Sequence, residues 1–447
     1  MKLLYSILPP FDKLLGPQAY SPQSSWRPIA YLVQQPVPEG LLLYNTLTKA
    51  LALLDAEDAE SFLRGGVPSE ELARQWFLVP QDHDDRQLAI QIRHIVRMLS
   101  DETVPITTYT IFTTTDCNAR CFYCFQKEAV RHTMSPETAR QTADFILAHS
   151  AGKHVRLQWF GGEPLYNKKA ISLICKALQS TGITYESGMI SNGFLFDDST
   201  IQEAAAEWRL KDVQITLDGT EEVYNRVKAF IYPEVNAFRR VIRNIHGLLD
   251  AGIAVRIRMN VDLYNADNLI QLTQQLCSEF KGTPGFRLYT HPLFGEEVAG
   301  AAIYHEDKRK LLYQKRETIS RLAREDSLTA NENLRGPWKI HQCMADDDSC
   351  GNILPDGHIG KCEHFSDEGF VGHIGRDGLD EQMLLSYKAL RDETDSCRTC
   401  PHYPSCIRLN RCVYSEYCFP EMREEMSMII RQSMLETYKK LKEAKDA

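Results

Sequence analysis

Apolar positions in residues 1–100 fall first at strand spacing and then at helix spacing. Ile29 to Gln34, Leu41 to Tyr44 and Lys49 to Leu54 are short strand-like runs, punctuated by Pro36, Pro38, Gly40 and Asn45, which favour turns over continued ladders. Glu57 to Arg64 then has helical character and stops at Gly65-Gly66. Ser69 to Phe77 carries Leu72 and Trp76 four residues apart, and Asp85 to Leu99 repeats Leu88, Ile92, Ile95 and Met98 at helical spacing. Three strands followed by helices predict a small winged-helix-like module over residues 1–100.

After the linker Ser100 to Pro105 the pattern becomes a strict alternation of strand and helix. The expected strands are Ile106 to Thr113, Val155 to Phe160, Ser187 to Ser191, Val213 to Leu217, Val255 to Val261 and Phe286 to Tyr289. The first expected helix opens with Ser135 as N-cap and Pro136 at its first position; others follow near Lys168 to Leu178, Ser199 to Glu207, Ala237 to Leu249 and Asn268 to Phe280. Six strands separated by helices predict a parallel sheet with right-handed crossovers. No Gly-x-Gly-x-x-Gly turn follows any of them, which argues against a dinucleotide-binding fold. Past residue 300 the rhythm is lost. Residues 301–340 hold one charged helix, Glu306 to Arg324, residues 341–420 are irregular and rich in cysteine, and residues 421–447 place Met422, Met426, Ile429 and Ile430 on a packing helix.

Composition narrows the class. The chain has 447 residues, 43% apolar and 25% charged, enough for two or three domains, and its net charge of -9 provides no basic field for a nucleic-acid partner. The apolar run after Lys2 ends at Pro9-Pro10, too soon for a signal sequence or a membrane span, and no later run is long enough to span. The expected compartment is the cytoplasm. There, thirteen cysteines argue for metal rather than disulfides.

Three of them stand in Thr115-Asp116-Cys117-Asn118-Ala119-Arg120-Cys121-Phe122-Tyr123-Cys124, at spacing Cys-x3-Cys-x2-Cys, directly after the first strand of the alternating region. Iron-sulfur clusters are normally held by four cysteines, so three thiolates on one loop leave one iron of a cubane open to a ligand that is not protein. The same residues also allow a zinc site or ordinary core cysteines. Eight more, Cys343, Cys350, Cys362, Cys397, Cys400, Cys406, Cys412 and Cys418, make two sets of four, and their Cys-x2-Cys pair suits zinc as well. Cys175 and Cys277 fall on helix faces and read as inert core.

The Cys117 loop resembles the signature of the radical S-adenosylmethionine (SAM) enzymes, in which the open iron chelates SAM and an electron splits it to a 5'-deoxyadenosyl radical. The resemblance covers roughly residues 106–420. It implies an α/β fold in which a six-stranded partial (β/α) barrel over 106–300 carries its reactive groups at the strands' carboxyl ends. The amino-terminal winged-helix-like module would precede the barrel, and an irregular cysteine-rich SPASM domain over 341–420 would follow it. Gly161-Gly162-Glu163-Pro164 matches the motif that binds the SAM amino group. Tyr123, Ser191, Asn192, Thr216 and Asp218 match positions that line the cofactor, the last four toward its carboxylate and ribose, and Arg258 is a further candidate partner of the carboxylate.

By the same resemblance, Cys343, Cys350, Cys362 and Cys412 would hold one auxiliary [4Fe-4S] cluster, and Cys397, Cys400, Cys406 and Cys418 another. The implied cofactors are thus three [4Fe-4S] clusters and SAM. Five residues separate Cys406 from Cys412 where the family usually has three, and the loop to Cys418 is short. Trp159-Phe160 before the glycine turn, Tyr224-Asn225, and Cys362-Glu363-His364 resemble the branch that modifies ribosomally made peptides. Glu363 matches a position where relatives carry a base that takes a proton from the substrate.

The expectation is a peptide maturase that abstracts hydrogen from a precursor residue and installs a thioether, ether or carbon-carbon crosslink. Its partners would be a precursor whose leader docks on the first module and an electron donor such as flavodoxin or ferredoxin, with no nucleic acid and no membrane. The first module could instead be a structural cap. Side-chain oxidation of a protein, as in sulfatase maturation, an RNA target, and a zinc-stabilised peptide-binding adaptor are the competing readings.

Overall fold

The structure, a computed structural model, describes residues 2–7, 11–16, 18, 20–21, 24–64, 69–100, 105–127, 130–293, 306–329, 334–336, 338, 341, 343–363, 369–376, 378–410 and 418–446. It divides into two compact units. Met1–Glu102, Asn331–Gln342 and Leu390–Ala447 form the first; Thr103–Ala330 and Cys343–Ala389 form the second. The cysteine-rich stretch anticipated over 341–420 therefore contributes to both.

In the first unit β1 (Lys2–Tyr5), β3 (Leu32–Val37), β4 (Gly40–Asn45) and β5 (Leu51–Leu54) form an antiparallel sheet in the order β1-β5-β4-β3, while β2 (Trp26–Pro28) pairs with β6 (Leu78–Pro80). Strand alternation sends Leu41, Leu43, Ala52 and Leu54 to one face, where they pack with Phe62, Leu72 and Phe77. Val33, Leu42, Tyr44 and Leu51 face the other way, onto Met434 of the helix Pro420–Asp446. The helices Ala56–Leu63 and Glu70–Arg74 start where Asp55 and Ser69 accept from the backbone N–H groups of Asp58 and Leu72. A third cluster joins Phe11, Ile29, Tyr31, Trp76 and Ile92 to Trp338, Tyr403 and Leu409, so the far end of the chain completes this unit's core.

Asp85 opens the helix Asp85–Ser100 and is 7% exposed. Its carboxylate takes both Nη groups of Arg27, at 2.9 and 3.1 Å, the Ala30 N–H at 2.8 Å and His83 Nδ1 at 2.8 Å. Burial alone would raise this carboxyl, but Arg27, His83 and the Ala30 N–H outweigh it and hold the pKa below the ordinary carboxylate value. A lowered folded-state pKa means stabilisation that is complete above the unfolded value of about 4 and is lost as pH falls through the folded one. Asp85→Asn is accordingly expected to cost about 1–3 kcal/mol at pH 7, as charge-assisted hydrogen bonds do. In urea titrations the gap to wild type should close toward pH 3. A gap equally wide at both pH values would assign the loss to packing.

In the second unit β7 (Thr108–Thr114), β8 (Val155–Gly161), β9 (Tyr185–Ser191), β10 (Leu210–Thr216), β11 (Ala254–Val261) and β12 (Phe286–Pro292) lie side by side in chain order, each parallel to the next. All six fall within a few residues of the runs expected from the sequence. The sheet continues, however, through β13 (Cys350–Ile353), parallel to β7, and then β14 (His358–Gly360) and β15 (Phe370–His373), both antiparallel, giving nine strands rather than six. Leu157, Trp159, Met189, Val213, Ile215, Val255, Ile257 and Met259 are fully buried on one face. Most of the intervening residues are polar, and across them run the ion pairs of Arg156 with Glu186 and Asp212 and of Arg256 with Asp212. Ser135 caps Pro136–His149 as expected, whereas the helix Glu221–Lys228 was not anticipated.

Candidate active site

The carboxyl end of β7 feeds the three-cysteine loop, and short polar side chains hold the exit. The Thr114 hydroxyl accepts from the Asp116 N–H at 3.1 Å, and Asp116 Oδ1 accepts from the Cys117 N–H at 2.8 Å. Farther along, the Arg120 N–H donates to the Lys228 carbonyl and the Ile231 N–H to the Asn118 carbonyl, both at 2.9 Å, while the Cys124 N–H closes a turn on the Cys121 carbonyl at 3.2 Å. Cys117 Sγ accepts from the Ala119 N–H at 3.4 Å. Burial, with Glu163 and the other two cysteines adding to it, pushes the Cys117 thiol up to about 12.

β8 ends in the glycine turn, which lies directly against this loop. The Gly162 N–H donates to the Thr114 carbonyl at 3.0 Å and the Glu163 N–H to the Asp116 carbonyl at 2.9 Å. A Cβ on Gly161 would collide with the Thr114 backbone, and one on Gly162 with the Asp116 backbone; Gly161 also has φ +137°. Both glycines are therefore demanded by a close contact, and Gly161 by its backbone conformation as well.

Glu163 is fully buried. Its carboxylate accepts from Ser191 Oγ at 2.9 and 3.1 Å, the Asn192 N–H at 2.9 Å and the Leu165 N–H at 3.2 Å. Burial outweighs these donors and raises its pKa to about 7, so a cation is what the site lacks among its own side chains. Asn192 at the end of β9 reaches back to the cysteine loop, donating to Asn118 Oδ1 at 2.6 Å with its Nδ2 3.8 Å from Cys117 Sγ.

The ends of β10 and β11 build the other half. Asp218, 1% exposed, pairs with Lys228 Nζ at 2.7 Å, accepts from the Tyr123 hydroxyl, and takes the Asn260 N–H at 3.1 Å. Lys228, 2% exposed, also donates to Thr216 Oγ1 at 2.6 Å and to the Tyr123 oxygen at 2.8 Å. Tyr123 is thereby fixed between two of the three cysteines. Arg258 donates through Nε to Asn260 Oδ1 at 2.9 Å. Lys228 is the residue that sequence reasoning missed: it sits four positions after Tyr224 on a short polar helix, where a lysine ordinarily meets solvent.

Glu363 follows β14 and is half-buried; burial raises its carboxyl and the nearby Arg258 charge opposes this. Cys343, Cys350 and Cys362 belong to this unit, with Cys350 opposite Thr108 in the β13–β7 ladder. Cys397, Cys400, Cys406 and Cys418 belong to the first unit. Electrostatic coupling among Cys400, Cys406 and Cys418 shows these three to be neighbours. Cys412 and His364 lie outside the described residues.

The side chains at the β7–β9 ends fit an iron-sulfur cluster with a cationic co-ligand. Three thiols share one pinned loop, and burial, with the neighbouring cysteine charge adding to it, raises the pKa of Cys117 and Cys121, a state that ligation to iron would relieve by deprotonating them. The buried Glu163 carboxylate lies near Cys117, and its chemistry would suit an ammonium group. Among the described residues no three His, Cys, Asp or Glu side chains converge tightly enough to hold a single metal ion.

Fold and site together define the class. Residues 111–274 match the Radical SAM superfamily, and the chain is an enzyme. Among known proteins it is 24% identical over 287 residues to a GTP 3',8-cyclase of Clostridium perfringens, covering 61% of this chain and 84% of that one. It shares the fold of native anSMEcpe, an anaerobic sulfatase-maturating enzyme solved with bound AdoMet and a Cp18Cys peptide. That match has TM-score 0.54 and 15% identity, over 75% of this chain and 99% of the other. Streptococcus suis SuiB bound to S-adenosylmethionine aligns over 85% of this chain and 94% of its own, with 13% identity and TM-score 0.49.

Proposed function

We propose that the protein is a peptide maturase that removes hydrogen from a residue of a ribosomally made precursor and installs a thioether, ether or carbon-carbon crosslink. The observation that carries this reading is the presence, in one chain, of the Cys117–Glu163 site and a separate antiparallel sheet, the kind of element to which peptides add as a strand. The fold-sharing anSMEcpe, which was solved with a peptide bound, supports the same substrate class.

Cys117, Cys121 and Cys124 would hold a [4Fe-4S] cluster, with Cys343, Cys350, Cys362 and Cys412, and Cys397, Cys400, Cys406 and Cys418, as auxiliary sets. A cluster and SAM held by these residues, with an external one-electron donor such as a flavodoxin or ferredoxin, would supply radical chemistry able to take hydrogen from carbon. The chain's residues do the rest. Glu163 receives the SAM ammonium; Ser191, Asn192, Thr216 and Arg258 orient the carboxylate and ribose; and the Tyr123–Asp218–Lys228 cluster keeps the loop in register while excluding water. Crosslinking also removes a proton and one electron from the substrate: Glu363, whose carboxyl burial raises while the Arg258 charge opposes this, would accept the proton, and the auxiliary clusters would accept the electron. No described helix is long and apolar enough to cross a membrane, which suits a precursor met in the cytoplasm.

Glu363→Gln tests the base. The variant should still form 5'-deoxyadenosine with precursor present while crosslinked product falls about a hundredfold, the contribution typical of a general base. Crosslinking at the wild-type rate per SAM cleaved would remove Glu363 from the mechanism.

A second reading is favoured by the 24% identity to a GTP 3',8-cyclase: radical chemistry on a nucleotide. Incubating the reduced enzyme with GTP alone, and then with candidate precursor peptides, separates the two by which substrate accelerates 5'-deoxyadenosine release.

A further inference from the structure

The antiparallel sheet of the first unit has two edges of opposite character. On β3 the exposed Pro36 has no N–H to give a further strand, a common way of blunting an edge. β5 is Leu-Ala-Leu-Leu, with neither proline nor charge, and three of its four residues are buried. Such a strand offers an unbroken ladder and must be covered. The cover is β1, antiparallel to it, with Lys2 opposite Leu53, Leu3 opposite Ala52 and Tyr5 opposite Leu51.

β1 is a poor fit for so apolar an edge. It has four residues, none of them buried, and its register slips between Leu3 and Tyr5. The slip puts Leu4 and the adjacent Tyr5 on the same side, both against the Leu51 face, where regular alternation would separate them. Leu3 alone reaches the opposite cluster with Ala52 and Leu54. Within β1, Tyr5 lies 4.7 Å from the Arg335 guanidinium in a cation–π contact, and further anchoring lies beyond the strand. The Ile7 N–H donates to Gln75 Oε1 at 3.2 Å, and the buried Phe11 ring lies 4.7 Å from that of Trp338. β1 can therefore leave the edge while its tether stays fixed.

We propose that β1 is a displaceable, built-in occupant of the β5 edge, and that an extended apolar peptide segment replaces it, antiparallel to Leu51–Leu54. Within the maturase reading, that segment is the precursor's leader. Main-chain hydrogen bonds exchange one for one in such a swap, so preference comes from side chains that fill the Leu3 and Leu4–Tyr5 positions better than β1 does. A tethered strand competes at an effective concentration on the order of millimolar, so an incoming peptide's apparent affinity is reduced by the fraction of time the edge is open. β1 thereby sets an affinity threshold that a weakly matched peptide does not pass.

The test uses the anaerobic enzyme, a variant lacking residues 1–5, which keeps the Ile7 tie, and Leu3→Asp, which keeps chain length but makes β1 unfit for the edge. The probe is a fluorescein-labelled heptapeptide with the sequence of residues 1–7, Met-Lys-Leu-Leu-Tyr-Ser-Ile, read by fluorescence anisotropy against a scrambled control. Both variants should bind the probe at least about tenfold more tightly than wild type, corresponding to an edge open a tenth of the time or less. A variant with wild-type circular dichroism that binds the probe no better than wild type overturns the proposal. If neither variant folds, hydrogen exchange on the wild type decides: amides of Lys2–Tyr5 should exchange well before those of Leu41–Tyr44, and equal protection overturns the proposal. Failure of the maturase reading would show separately, as no product from any precursor, with the probe measurements unchanged.

Discussion

Replacing Cys117, Cys121 and Cys124 together by alanine is expected to abolish SAM cleavage and to lower the iron content of the anaerobic protein from about twelve to about eight per chain, the loss of one four-iron cluster among three. The loop should survive the change. Its path is fixed by backbone donors and by Asp116, Asn118 and Asn192, none of which is altered, although the 3.4 Å contact from the Ala119 N–H to Cys117 Sγ is lost. The loss is then chemical rather than structural, and thermal unfolding of the triple variant should stay close to that of iron-depleted wild type. Cys175→Ala, on the buried face of Lys168–Thr181, is the control: it should keep all the iron. A triple variant with wild-type iron content would place the SAM-binding cluster elsewhere.

Much of this site could be read in the chain because it is built from local geometry. The six parallel strands show as apolar alternation, since one face of each packs and the other is polar: Arg256, Arg258 and Asn260 on β11 are a period-two series, and the Arg258–Asn260 bond confirms their common face. Gly161 and Gly162 show because no other residue tolerates the approach of the Thr114 and Asp116 backbones. What could not be read depends on distant partners. β1 is Lys-Leu-Leu-Tyr, without alternation, and exists because an open edge lies some fifty residues away. The helix Glu221–Lys228 is short and polar, with only Tyr224 and Lys228 buried, so no apolar stripe announces it. The cysteine-rich stretch gives no sign that residues from 390 onward join the first unit; that follows from Tyr403 and Leu409 meeting Phe11, Ile29 and Tyr31.

Lys228 carries the second large effect. Burial would lower its pKa, but Asp218 first, and Tyr123 after it, outweigh that and hold the ammonium well above the ordinary lysine value. On the alkaline side the pair is therefore kept until the pH rises above the range in which an ordinary lysine deprotonates. Lys228→Met keeps the volume and removes the charge. It leaves the Asp218 carboxylate buried with only the Tyr123 hydroxyl and the Asn260 N–H, and breaking one side of a buried ion pair costs about 3–5 kcal/mol. The Arg120 N–H to Lys228 carbonyl bond is main-chain and is unaffected, so the cysteine loop keeps that tie. Asp218→Asn alone should also destabilise, by leaving the ammonium unpaired. The double variant Lys228→Met/Asp218→Asn removes both charges and should fall short of the sum of the single losses by about 2 kcal/mol or more, as coupled neighbours do. Urea unfolding of the four proteins at pH 7.5, anaerobic and cluster-loaded, measures this. Additive losses, or a Lys228→Met cost below about 1 kcal/mol, the range of an exposed pair, would mean that Lys228 is solvated and does not hold Tyr123 and Asp218 in place.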